Sequence, residues 1–282
     1  MSNPVLNEHR LQAAGNTWVP PEPSTDHFPP VADGPIDDGP VSSWRPEVMT
    51  VNGVISATAT LFVLLLISAT YGWIETGGPE EVRLSDGSIG FNYSIPTLAW
   101  VGMIVGIALT FLLMFKPHLA KFIAPAYALA QGFFIGAISR MYETFYDGIV
   151  VQAAGATIAV FGVMLVLYRT RIIKVTDRFR RVVVSATIGI MVFYGVCMLM
   201  RLFAGPGSVS FLSSPSLLGI GFSVLVAGLA AFNLALDFDF IERGAKQGLA
   251  KDFEWYAAFG LLVTIVWLYL EMLRLFSKLR ER

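Results

Sequence analysis

Seven apolar stretches, each long enough to cross a lipid bilayer as a helix, leave this chain little choice of fold. They run over Val54–Ile74, Ile95–Phe115, Phe122–Met141, Ile149–Tyr168, Val182–Phe203, Leu217–Ile241 and Trp255–Phe276, and charge, proline or glycine bounds each one. A helix needs roughly 20 apolar residues to span the hydrocarbon core. Inside that core water cannot satisfy peptide groups, so each segment must bond its own backbone. The expected fold is therefore an all-α polytopic bundle of seven transmembrane helices over residues 51–282. Composition agrees: 55% of residues are hydrophobic and 15% charged, against about 25% charged in soluble domains. Ser94 and Pro96 suit the start of the second helix, where a missing N–H costs nothing. The longest connection, 75–94, is a polar excursion with glycines and acids, too short for a soluble domain.

Residues 1–50 differ in kind. They hold nine of the fifteen prolines, and seven acids outnumber Arg10 and Arg45. Such a segment buries too little apolar surface to offset chain entropy, which predicts a disordered, acidic, Pro-rich tail. It has no apolar run of signal-peptide length. The first transmembrane helix is then the expected insertion signal.

Lys and Arg set the orientation. With a cytoplasmic N-terminus, thirteen fall on the cytoplasmic side, among them Lys116, Lys121, Arg243 and six between Arg169 and Arg181. The opposite loops hold Arg83, Arg140 and Arg201. Positive-inside bias thus places the N-terminus in the cytoplasm of a cell whose plasma membrane holds the protein. Arg274, Lys278, Arg280 and Arg282 run against it, since seven full crossings put them outside. Either the bias is overridden there, or the last segment turns back, with Gly260 as the place for a break.

Chemistry must come from polar groups inside the membrane, where ionisable residues are costly. On the third segment Tyr127, Gln131, Ser139 and Tyr142 lie close to one face, which predicts interhelical hydrogen bonds. Gly102–Gly106 and Gly132–Gly136 are small-xxx-small pairs suited to close packing within the bundle. On the sixth segment Asn233 and Asp237 are four apart and share a face. Asp239 points roughly the other way and is expected as a solvated carboxylate at the helix end. On the seventh, Glu271 is either a buried functional carboxyl or the partner of Arg274, three residues on. Two carboxyls in contact share a proton and titrate as a pair, so Asp237 and Glu271 together would form a pH switch. Counted along straight antiparallel helices they lie at different depths, so contact requires an offset or a break at Gly260.

Enzyme templates do not fit. His9, His27 and His118 form no zinc set, and the chain has no Gly-x-Ser-x-Gly elbow and no phosphate loop. No cofactor is expected. Cys197 is the only cysteine and cannot form an intramolecular disulfide. A net charge of −1 without a basic, aromatic-rich tract argues against nucleic acid.

Several motifs are shared with a known family. They are Ser2-Asn3-Pro4-Val5, Met49-Thr50-Val51-Asn52-Gly53-Val54, Leu236-Asp237-Phe238-Asp239-Phe240-Ile241 and Trp267-Leu268-Tyr269-Leu270-Glu271-Met272-Leu273-Arg274-Leu275-Phe276. On these the chain resembles the Bax inhibitor-1/YccA family, the transmembrane Bax-inhibitor-motif superfamily, and looks most like its actinobacterial branch. The likeness covers about residues 50–278, with the tail as an addition. It implies six helices around a central seventh and a pH-sensitive Ca²⁺ leak gated by carboxylates on helices six and seven. Asp237 falls on the sixth-helix aspartate, and Glu271 on the seventh-helix one. Lys116 falls where a bacterial member has a latch arginine, although lysine cannot copy a bidentate clasp. Asp239, Asn233 and Arg274 would be accessory. The expected partners are membrane lipids and cations in transit. The alternative is a non-conducting adaptor for a membrane protease or stress-response protein, with the tail as its docking segment.

Overall fold

The computed structural model describes residues 48–78, 80–83, 89–92, 95–205 and 214–282; the reading of residues 1–47 as a disordered tail lies outside them. Seven helices are long and apolar enough to cross a membrane. They are α1 (Val51–Glu75), α2 (Thr97–Phe115), α3 (Ala120–Phe145), α4 (Ile149–Arg169), α5 (Asp177–Ala204), α6 (Leu217–Gln247) and α7 (Phe253–Arg280). Between α1 and α2 a short antiparallel hairpin pairs Glu80–Arg83 with Ile89–Asn92. Outward faces stay apolar, with Ile104, Phe111, Ile158 and Met191 all exposed, as lipid-facing surfaces require.

Local chemistry fixes the helix starts. Thr50, Thr176 and Ser216 cap α1, α5 and α6 by accepting from Gly53, Phe179 and Gly219 amides. α1 packs most extensively on α3, and small residues permit it. A methyl at Gly136 would overlap the Ala69 carbonyl, and one at Gly132 the Leu65 carbonyl. Gly102 and Gly106 likewise seat on Ala130 and Gln131. Both glycine pairs therefore serve packing within the bundle.

α7 is the central element. It borders α1, α3, α4 and α6, and residues along its whole length, from Glu254 to Lys278, are buried. The expected face of α3 meets it: Ser139 and the Tyr269 hydroxyl are 2.7 Å apart, and Tyr127 meets Phe259 edge-on at 4.8 Å. By contrast α5 is peripheral and packs mainly on α6.

The question of a broken last segment is resolved. α7 is one continuous helix of 28 residues, about 42 Å long at 1.5 Å per residue, with no interruption at Gly260. Its first turn meets the start of α1. Glu254 Oε1 accepts from both the amide and the hydroxyl of Thr50 at 2.9 Å, and Met49 N–H donates to Leu249 O at 2.7 Å. Its last turn meets the α3–α4 connection, where Arg280 donates to Asp147 O at 2.6 Å and Tyr146 donates to Glu281. The C-terminus therefore lies at the opposite end of the bundle from residue 50. Three of its four cations have partners within the protein. Arg274 is on Glu271, Lys278 donates to Gly219 O and Ser223 Oγ at 2.9 Å, and Arg280 is on Asp147. This explains how the end can oppose the charge bias of the loops.

Candidate functional site

Three groups of intramembrane polar residues stand out, all on the last three helices. The first is Asp237. Its position on α6 turns the side chain toward α7, where Gly260 leaves room. A methyl on Gly260 would sit 3.8 Å from Asp237 Oδ1, and Thr264 flanks the same carboxyl. Oδ2 is sealed from solvent and has no hydrogen-bond partner. Such a group is costly to leave unmet, and charging it without hydration or a counter-ion costs more.

The second group is at the α4–α5 end of α6. Asp239 is only 7% exposed and accepts from Arg180 of α5 at 2.8 Å and from Arg243, one turn on, at 2.9 Å. Arg243 also donates to Val175 O at 3.2 Å. This corrects the expectation of a solvated carboxylate. α5 covers the face of α6 that points away from α7, so both aspartates are enclosed, each by a different neighbour. Beside this triad, Glu242 accepts from Arg171 at 3.0 Å, from Lys246 and from the Tyr168 hydroxyl.

The third group is at the other end. Glu271 is 1% exposed and is clamped. Arg274 Nη1 reaches both its oxygens, at 2.8 and 2.9 Å, and the Tyr194 hydroxyl donates to Oε1 at 2.8 Å. The same Nη1 donates to the Tyr194 oxygen at 2.6 Å, and the guanidinium lies 5.2 Å from the Tyr194 ring centroid. One turn further, Lys278 is buried against the start of α6.

The structure does not bring Asp237 and Glu271 together. Asp237 lies beside Gly260, and Glu271 is eleven residues further along α7, about 16 Å by helical rise. The unbroken α7 removes the break that contact needed. Arg274 takes the pairing role with Glu271. Asn233 turns away from Asp237 and donates to Thr187 Oγ1 of α5 at 2.8 Å and to Leu229 O at 2.9 Å. Lys116 lies exposed at the end of α2, with no ion pair among the described residues.

Sequence reasoning missed Tyr194, Arg180 and the buried Lys278. Lys278 had a signal, since it follows Glu271 by seven residues and so shares its helix face. Tyr194 and Arg180 come from α5, and nothing local marks their partners. Among the described residues no group of three His, Cys, Asp or Glu side chains could hold a metal ion.

The sequence profile of the family described as Bax inhibitor 1 like matches residues 3–281. The match begins inside the Pro-rich stretch and runs almost to the end of the sequence. No curated protein matches the chain at a significant level.

Proposed function

The chain belongs to the Bax inhibitor 1-like family, and from that premise we propose that it is a non-enzymatic, passive cation leak, Ca²⁺ its foremost ion, of a plasma membrane, with residue 50 on the cytoplasmic side. The observation that carries this reading is the Asp237 carboxyl between α6 and α7, whose Oδ2 is sealed from solvent without a hydrogen-bond partner. An ionised carboxylate at that place must be hydrated or paired. Charging it and admitting water into the α6–α7 seam are therefore coupled events. The protonated form keeps the seam dry. Rising pH favours the charged form, a hydrated seam and cation passage. Glu271, held by Arg274 and Tyr194, anchors α7 to α5 while the seam loosens, so the two carboxyls divide the work instead of sharing a proton.

The test is Ca²⁺ flux in vesicles reconstituted with the full chain. Flux should rise with pH, Asp237→Asn should flatten that rise, and Glu271→Gln should retain it. Flux equal to that of protein-free vesicles, or an unchanged pH profile in the Asp237→Asn variant, defeats the proposal. A second reading, a non-conducting adaptor, is favoured by the acidic tail with nine prolines. Deleting residues 1–45 separates the two, since a leak keeps its flux and an adaptor loses its partner in a pull-down.

A further inference from the structure

α1 and α4 are neighbours that do not pack closely against each other. Between them a lateral crevice of about 830 Å³ opens, floored by α6 and α7. That volume falls within the range of about 300–1,000 Å³ typical of small-molecule sites. Val54 and Phe62 of α1 face Ile158 and Leu165 of α4, with Phe238 and Leu261 beneath. The crevice therefore runs about 12 Å along α1, from residue 54 to residue 62, as a nearly continuous apolar slot.

Its mouth has a different character. Arg169, Arg171, Lys246, Glu242 and the Tyr168 ring line it. Glu242 is already engaged by Arg171, Lys246 and Tyr168, which leaves two positive charges in excess. Arg169 has no partner among the described residues. Arg171 adopts a φ of 61°, the one non-glycine residue with a positive φ in the described chain. That strained turn holds its guanidinium toward Glu242 at the mouth. An apolar slot opening to the side, closed at one end by surplus cations at headgroup level, is complementary to one class of molecule.

We infer that the α1–α4 crevice holds a single anionic phospholipid, its acyl chain in the slot and its phosphate on Arg169 and Arg171. A free phosphate would use the cations alone. A neutral lipid would use the slot alone. The two parts in one site require both features in one ligand. The inference does not depend on the leak, because occupancy is read without any flux.

The experiment is native mass spectrometry of the full chain released from nanodiscs of equal phosphatidylglycerol and phosphatidylcholine. One retained phosphatidylglycerol per chain is expected, favoured over phosphatidylcholine by about tenfold or more, given what two basic residues near a membrane surface supply. Arg169→Gln/Arg171→Gln should bring the two lipids to near parity, and Arg169→Lys/Arg171→Lys should keep most of the preference. Ala59→Phe, which fills the slot from α1, should lose retention of both lipids. Circular dichroism confirms that each variant is folded, and Thr157→Phe on the opposite wall replaces Ala59→Phe if that variant is not folded. Equal retention of both lipids by the unaltered chain overturns the inference. So does retention that the glutamine and slot-filling variants leave unchanged, or displacement of the lipid by water-soluble glycerol phosphate at equal concentration.

Discussion

Replacing Arg274 by glutamine should be among the most damaging single changes on α7. Glu271 has 1% of its side-chain surface exposed and takes two of its three hydrogen bonds from Arg274. Removing one member of a buried pair strands the other charge, at about 3–5 kcal/mol. The Arg274 side chain is 37% exposed, so solvent screens part of the interaction and the lower bound of about 3 kcal/mol applies. For a domain of this size each kcal/mol shifts Tm by about 2–4 °C, which gives a loss of about 6–12 °C. The assay is thermal unfolding in detergent followed by circular dichroism. Arg274→Gln/Glu271→Gln should recover a large part of the loss, because a neutral amide no longer leaves a buried charge unmatched. Tyr194→Phe, which removes one hydroxyl donor, should cost about 1–3 kcal/mol. A fall below about 2 °C for Arg274→Gln, or a double variant no better than the single, would show that the clamp contributes nothing to stability.

Three further outcomes are expected. Gly136→Ala should destabilise the α1–α3 contact by about 1–3 kcal/mol through overpacking on the Ala69 carbonyl, whereas Gly260→Ala should be tolerated because its methyl would meet Asp237 at ordinary contact distance, 3.8 Å; equal Tm values for the two variants would contradict this. Single cysteines at Arg178 and Arg282, on a background where Cys197 is buried, should react with a membrane-impermeant maleimide from opposite sides, and labelling from the same side would refute a full crossing by α7. The Tyr146 hydroxyl is pushed up to about 12, by desolvation first and then by the Glu281 carboxylate. A group raised in the folded state lends stability below its unfolded value of 10.0 and loses it as pH climbs through the folded one. Tyr146→Phe should therefore lose less stability than the unaltered protein over that alkaline window, and identical alkaline melting curves would remove the clasp from the account.

The seven crossings were legible because run length and charge boundaries are local properties. α1 to α5 start within a few residues of the apolar runs. α6 and α7 extend past theirs, to Gln247 and Arg280, where Arg243, Lys246 and Lys278 make hydrogen bonds within the protein that a hydropathy reading cannot count. Glu271 with Arg274 was legible for the same reason, since three residues on a helix decide it. The fate of Asp239 was not. Arg243, four residues on, was a local partner, but the second cation comes from Arg180, fifty-nine positions away, and only the placement of α5 makes the outer face of α6 an interior. The separation of Asp237 from Glu271 could be counted from the sequence. That Asp237 Oδ2 is left without a partner was not countable, because it depends on the packing of α6 on α7 at Gly260.

The Thr50–Glu254 clasp ties the first helix to the last. Gly53 has room for no more than a hydrogen where the Glu254 carboxylate lies, so the entry to α1 is shaped around a residue made two hundred positions later. α7 also supplies the surface on which α1, α3, α4 and α6 converge. α1, α2 and α3 can pack on one another as they insert, but the surfaces that α1 and α3 turn toward α7 stay against lipid until that helix is made.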